Sequence, residues 1–182
     1  NTLCMDKDGN VIDLLNGKED IENRVINTVG ESISRFVEDP LRILRAVRFY
    51  TTLEFDLGEE VRLAIIQTKG ELSRLSYQRK KDELDKIFCH TNVKRGIDLI
   101  VELGLDKELG LDFRRCVYNT DLMGIWASID VNHDYPFSKN ERELIDMIRE
   151  VRELNNLDPK VLFKYGLYVN LIAGSLNGTD RK

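Results

Sequence analysis

Arg35-Phe36-Val37-Glu38-Asp39-Pro40-Leu41-Arg42-Ile43-Leu44-Arg45-Ala46-Val47-Arg48-Phe49 is the stretch that decides the fold class of this chain. Leu41, Leu44, Ala46, Val47 and Phe49 recur at three- and four-residue spacing, the period of an α-helix with one buried face. Asp39-Pro40 reads as a helix start, because aspartate caps free N–H groups and proline suits the first turn. Working outward, the helical period begins at Glu31, runs to about Leu53, and returns at about 59–68, 76–89, 92–103 and 112–127. Ser138 with Glu141 forms a capping box ahead of Leu144, Ile145, Met147 and Ile148. Asp158-Pro159 opens a last helix with Val161, Leu162, Tyr165 and Leu167. The expectation is a mainly α protein.

The exception lies at the N-terminus. Leu3-Cys4-Met5 and Val11-Ile12 flank Asp6-Lys7-Asp8-Gly9-Asn10, and Asp-Gly is a strong turn signal, so residues 1–14 read as a β-hairpin. A lone hairpin is marginal in water, so this one reads as the remnant of a larger sheet. The chain opens at Asn1, without methionine, in what reads as the middle of a strand, and this start is taken as an artificial or proteolytic boundary. Gly17 with Glu19-Asp20 opens a short helix, and Val25–Val29 reads as a strand or extended link. Val131–Pro136 reads as a linker, and the 178–182 tail is polar.

Composition narrows the class. The 182 residues are 42% hydrophobic and 32% charged, a globular profile with enough apolar surface for a core. No apolar run approaches the roughly 20 residues of a membrane span. Three widely spaced cysteines, Cys4, Cys89 and Cys116, point to reduced thiols in a cytoplasmic protein. Cys89 and Cys116 are expected to be buried apolar residues, and Trp126 to be core. The net charge of −5 supplies no general positive field, so a nucleic-acid contact must rest on a local basic patch.

Three elements in order carry a family resemblance. Asp13, Gly17 and Asp20 match an Asp-x-x-x-Gly-x-x-Asp element; Glu38, Asp39, Arg42, Arg45 and Arg48 match a Glu-Asp-x-x-Arg-x-x-Arg-x-x-Arg helix. Ser76, Gln78, Arg79, Glu83 and Leu84 match a Ser-x-Glu-Arg-x-x-x-Glu-Leu element, with Gln78 in place of the usual Glu. Together they resemble the bacterial class II tRNA nucleotidyltransferase and poly(A) polymerase family. The resemblance is close over about residues 1–90; beyond them it rests on the all-helical character of the family's body. It implies a remnant of the head and the head–neck junction at 1–30, a nucleobase-selecting helical neck at 31–104 and a helical body at 105–182. The activity implied is addition of CCA to tRNA 3′ ends from CTP and ATP. CC-adding, A-adding and poly(A) polymerase relatives share the neck motif.

The residue chemistry makes the implied selection workable. Side chains three apart on a helix share a face, so Asp39 and Arg42 are expected side by side on one helix. A carboxylate only accepts hydrogen bonds and a guanidinium only donates. Cytosine and adenine show an amino donor beside a ring acceptor, which fits that pair. Uracil and guanine show a carbonyl and a ring N–H in those places, and each mismatch costs roughly 1–3 kcal/mol. Arg45 and Arg48 continue the row, and the resemblance implies that they help hold the incoming nucleotide through its triphosphate, a task suited to the planar guanidinium. Glu38 is expected to orient Arg42. Arg79 and Glu83, four apart, are expected to pair and brace the neck, with Asp13, Gly17 and Asp20 supporting the junction.

The metal-binding carboxylates of nucleotidyl transfer have no match here: Asp6-Lys7-Asp8 has the spacing but reads as a solvated turn. Catalytic residues are therefore expected elsewhere, with Mg2+ bound by a head domain that this chain lacks, and the chain alone is expected to transfer nothing. Arg74, Lys80, Lys81, Lys94 and Arg95 form a local basic excess that suits phosphate contacts with tRNA. Two readings from other classes stand beside this one. His133-Asp134 with His90 suggests a His–Asp metal phosphohydrolase, although two histidines are sparse ligands. A non-catalytic helical binding module is the other.

Overall fold

Asp39 and Pro40 separate one helix from the next, and the rest of the chain packs around that break. In the computed structural model, which describes residues 3–119, 121–131, 135–155 and 158–178, α2 (Ser32–Glu38) ends at Asp39 and α3 (Leu41–Leu53) begins after Pro40. Before them stand the antiparallel strands β1 (Leu3–Met5) and β2 (Val11–Asp13), then α1 (Gly17–Glu22) and β3 (Val25–Ile26). The hairpin and the short helix are found where expected; only two residues of the 25–29 link are strand. Asp6 accepts hydrogen bonds from the N–H groups of Asp8 and Asn10, which makes Asp6-Lys7-Asp8 the solvated turn it was read as.

After α3 come β4 (Asp56–Leu57), parallel to β3, then α4 (Glu59–Thr68), a 3-10 turn over Lys69–Arg74, and α5 (Tyr77–Phe88). Next follow α6 (Val93–Glu102), α7 (Leu105–Leu109), β5 (Leu111–Asp112) and α8 (Leu122–Ser128). The chain closes with β6 (Asp130–Val131), antiparallel to β5, then α9 (Lys139–Leu154) and α10 (Pro159–Leu176). The Ser138–Glu141 capping box starts α9 with both of its bonds in place. Among the described residues, no helix is long and apolar enough to cross a membrane.

The expected helix at 112–127 is not one helix. Gly110, at φ 65°, adopts the left-handed conformation that ends α7. Asp112 then accepts the Arg114 N–H at 2.9 Å and turns the chain. Asp121 restarts a helix by accepting the Gly124 N–H at 2.8 Å. The glycine and the capping aspartate were visible in the sequence; the apolar periodicity between them was misleading. The linker reading of 131–136 is also corrected at its far end. Tyr135 is 1% exposed, donates from its hydroxyl to the Leu109 carbonyl, and meets Trp126 with ring centroids 5.3 Å apart. Residues 132–134 lie outside the described residues.

Packing follows from the apolar faces. The buried face of α3 carries Ile43, Leu44, Ala46, Val47 and Thr51 and lies against α5 and α6, while Arg45 is exposed. Gly96 permits the close crossing there. A Cβ at 96 falls 2.4 Å from Thr51 Oγ1 and 2.7 Å from an Ile87 methyl, and the Thr51 hydroxyl is held by the Val47 carbonyl at 2.8 Å. The same core extends to Trp126, fully buried as expected, with Phe88, Tyr135 and Phe137 packed around it and its Nε1–H donating to Asp85 at 2.8 Å. Cys89 departs from expectation: it is exposed at the C-terminus of α5, while Cys116 is half-buried.

Lys81 ties α5 to α9. Its side chain is 6% exposed, and its ammonium donates to Asp85 at 2.8 Å and to Glu141 at 2.9 Å. Burial pulls the lysine pKa down, but the bonds to both carboxylates reverse this and leave it raised above 10.5. Burial pushes Glu141 up, but its bonds from Lys81 and Ser138 outweigh this and hold it below 4.5.

This packing can be tested at two positions. Gly96→Ala lowers stability by about 1–3 kcal/mol through overpacking, although alanine is the better helix former by about 1 kcal/mol. Thermal unfolding followed by circular dichroism reads it, and a raised Tm contradicts it. Lys81→Met leaves two carboxylates without their shared cation and costs about 3 kcal/mol at neutral pH. The raised Lys81 pKa stabilises the fold below 10.5. The depressed Glu141 pKa stabilises it above 4.5, and that share is lost as pH falls through the folded-state value. The wild-type advantage in Tm is therefore widest between these limits and narrows below about pH 4; a gap that does not change with pH contradicts the assignment.

Candidate functional site

The neck motif gathers at the α2–α3 junction. Asp39 is not inside a helix, as its spacing from Arg42 had suggested, but in extended backbone at φ −140°, ψ 96°. Pro40 explains the break, because it disfavours helical backbone in the residue before it. Asp39 still caps α3: its Oδ1 accepts the Leu41 N–H at 3.3 Å, and its carbonyl accepts the Arg42 N–H at 3.0 Å. Arg42 stands in the first turn of α3. Both side chains reach solvent, at 32% and 40% exposure.

Among the described residues, the acids of the motif are engaged while two of its arginines keep free donors. Asp39 Oδ1 takes a second bond from Arg79 Nη2 at 3.2 Å, while Oδ2 accepts none from the described residues. Glu38 Oε2 lies 3.6 Å from Arg42 Nη1, too far for a hydrogen bond, and 3.0 Å from Arg35 Nη1. Arg42 thus keeps its donors unspent among the described residues. Arg45 is exposed and meets no carboxylate among the described residues. Arg48 is half-buried, its Nε 3.0 Å from Glu83 Oε2 and its guanidinium over the Phe49 ring.

The brace differs from expectation. Arg79 and Glu83 do not pair with each other along α5. Arg79 reaches across to Asp39 and Glu83 to Arg48, with Lys86 on the other Glu83 oxygen at 2.9 Å. The reason is burial: Glu83 is 6% exposed, facing α3, and Arg79 stands at the open edge of the same helix. The junction element is local. Asp13 accepts the N–H groups of Gly17 at 2.9 Å and Lys18 at 2.8 Å, bonds that hold its carboxyl below the usual range, and Asp20 accepts from Asn27 at 2.6 Å. Gly17 is buried.

The expected basic patch is largely dispersed. Lys80 is 2% exposed, its ammonium over the Tyr77 ring, and burial lowers its pKa. Lys81 is the buried tie described above. Arg95 is half-buried, stacked 3.8 Å from the Tyr50 ring centroid and bonded to Asp56. Only Arg74 and Lys94 of the five stand at the surface, and each has an acidic neighbour, Glu71 and Asp98. Helical spacing could not separate these lysines, because α5 is wrapped on more than one side.

Other chemistry is less favoured by the geometry. A cavity of about 420 Å³ is lined by Asp98, Glu102, Asp106 and Asp112 with Phe113 and Tyr118. Its carboxylates oppose a nucleotide's phosphates, and Arg114 holds the Asp112 pKa down to about 2. His133 and Asp134 lie outside the described residues, and His90 Nδ1 accepts the Asn92 N–H. Among the described residues no group of three or more His, Cys, Asp or Glu is placed to hold a metal ion.

Known proteins agree with the motif. A family model described as the probable RNA and SrmB-binding site of polymerase A matches residues 54–110. The CCA-adding enzyme of Bacillus licheniformis is 40% identical over 116 residues, which cover 63% of this chain and 29% of that protein. That of Bacillus subtilis is 40% identical over 109 residues, 60% of this chain and 28% of the relative. The fold matches the crystal structure of the Bacillus stearothermophilus CCA-adding enzyme in complex with CTP, with TM-score 0.78 and 23% identity over 97% of this chain and 51% of that one. It also matches the Thermotoga maritima CCA-adding enzyme complexed with tRNA, with TM-score 0.66 and 22% identity over 91% of this chain and 50% of that one. The chain thus spans about half the length of these solved structures and under a third of the curated relatives it matches. It is similar to CCA-adding enzymes in sequence over about three fifths of its length and in fold over nearly all of it.

Proposed function

We propose that this chain supplies the nucleobase-selecting and tRNA-contacting portion of an enzyme that adds CCA to tRNA 3′ ends from CTP and ATP. One observation carries the reading: among the described residues, Asp39 keeps Oδ2 free and Arg42 keeps its guanidinium donors free, three residues apart at the mouth of α3. An acceptor beside a donor array complements the amino group and ring acceptor of cytosine and adenine. It opposes uracil and guanine, which leave a polar group unpaired on each side. Arg45, exposed on the same helix, is offered to a nucleotide's phosphates, while Arg48, held by Glu83 and Phe49, braces that helix from within. Glu38 flanks Arg42.

On this reading residues 1–30 join the neck to a catalytic head, 31–104 form the neck and 105–182 the body. We assign Mg2+ and its carboxylates to that head, so these 182 residues alone transfer nothing. Arg74 and Lys94 are the exposed cations offered to tRNA phosphates. The setting of such an enzyme is the cytoplasm. The family model named for polymerase A favours one second reading, a relative that adds adenosine alone.

The test is nucleotide binding by the full-length enzyme, wild type against Asp39→Ala and Arg42→Ala, with CTP, ATP, UTP and GTP. Wild type favours CTP and ATP by about tenfold or more, as expected from one or two unpaired polar groups. Each variant loses that preference while circular dichroism stays native. UTP and GTP rejected by the variants as strongly as by wild type contradicts the reading, and preference for ATP without CTP supports the adenosine-adding relative.

A further inference from the structure

Glu38 is shared by two guanidinium groups, and the sharing is unequal. Arg35 Nη1 donates to Glu38 Oε2 at 3.0 Å, while Arg42 Nη1 stands 3.6 Å from the same oxygen without a hydrogen bond. Arg35 is itself anchored from behind, because its Nε donates to the Val29 carbonyl at 2.9 Å. Its fork therefore spans from the chain ahead of α2 to the last residue of that helix. We propose that Arg35 is a positioning residue for nucleobase selection: it occupies Glu38 so that the Arg42 guanidinium stays free to meet a base. This rests on the selecting roles given above to Asp39 and Arg42.

The physical argument is competition for one carboxylate. Across the break at Asp39-Pro40, Arg42 Nη1 already stands 3.6 Å from Glu38 Oε2, within ion-pair range. Without Arg35, the Arg42 guanidinium is the cation left beside Glu38, and the distance between them closes to a hydrogen bond. That bond would take donors that the ring acceptors of cytosine or adenine require, and turn the guanidinium toward α2. With Arg35 in place, the hydrogen-bonding capacity of Glu38 Oε2 is taken up, and its partly offset charge draws Arg42 only weakly, without consuming its donors. All three side chains are 40–56% exposed, so the effect is modest. Exposed ion pairs of this kind shift an equilibrium by at most about fivefold.

Arg35→Ala, Arg35→Lys and the double variant Arg35→Ala with Glu38→Gln, made in the full-length enzyme, test the proposal by titration with CTP, ATP and UTP. Arg35→Ala weakens CTP and ATP binding about three- to fivefold and leaves UTP unchanged. Arg35→Lys, which keeps a cation for Glu38, stays near wild type. The double variant recovers CTP and ATP binding, because a neutral amide does not capture Arg42. A merely structural Arg35 gives a lower Tm with no recovery by Glu38→Gln, and that result overturns the proposal, as does wild-type binding by Arg35→Ala. Discrimination abolished by Asp39→Ala but untouched by Arg35→Ala overturns this inference alone. A wild type that fails to discriminate overturns the selecting roles of Asp39 and Arg42 as well.

Discussion

The packing of α3 on α5 depends on one buried ion pair, Arg48 of α3 facing Glu83 of α5 at 3.0 Å. Both contacting atoms are shut from solvent, and the two meet as charges rather than through an aligned N–H···O bond. Desolvating them is costly, and the cost is offset only if the helices hold their relative position. Lys86 on the second Glu83 oxygen and the Phe49 ring under the Arg48 guanidinium supply that support. A hydrophobic pair would pack α3 against α5 as well, but it would not fix which face of α3 turns outward.

That orientation sets the chemistry at the far end of the helix. With Arg48 held inward, the α3 face bearing Ile43, Leu44 and Val47 is buried and Arg45 points to solvent. Arg79, one turn before Glu83 on α5, then meets Asp39. So α5 touches the motif at both ends, and a single helix registers the acid at the junction against the arginines beyond it. Pro40 contributes by breaking the helix, which leaves the Asp39 carboxylate at the mouth of α3, where free N–H groups favour negative charge.

A similar economy joins the later helices. Asp85 accepts from Trp126 and from Lys81, and Lys81 continues to Glu141. One lysine therefore links α5, through two carboxylates, to the aromatic cluster around Trp126 and to the capping box of α9. Its charge is satisfied inside the molecule, which is why a residue that looks like a member of a basic face is withdrawn from any nucleic acid. Lys80 beside it is withdrawn more simply, by burial against Tyr77.

Helical period, the Asp-Gly turn, Asp39-Pro40 and Ser138–Glu141 were each local signals, and local backbone energetics sufficed to place the hairpin, α2 to α6, α9 and α10. The order of the three motifs along the chain likewise made the resemblance to CCA-adding enzymes legible from residue types and spacing. What local signals could not give was pairing at a distance. Arg79 and Glu83 are four apart and suggest each other; only the packing of α5 on α3 shows that each prefers a partner some 35 to 40 residues away. Lys80, Lys81 and Arg95 carry the same charge as Arg74 and Lys94, and burial alone separates them. Sequence thus determined most of the helices, though not the break-up of 112–127, and which residue types stand at the α2–α3 junction. Tertiary structure decided which charges are spent inside the fold and which are left for a ligand, because desolvation depends on neighbours that spacing along the chain does not reveal.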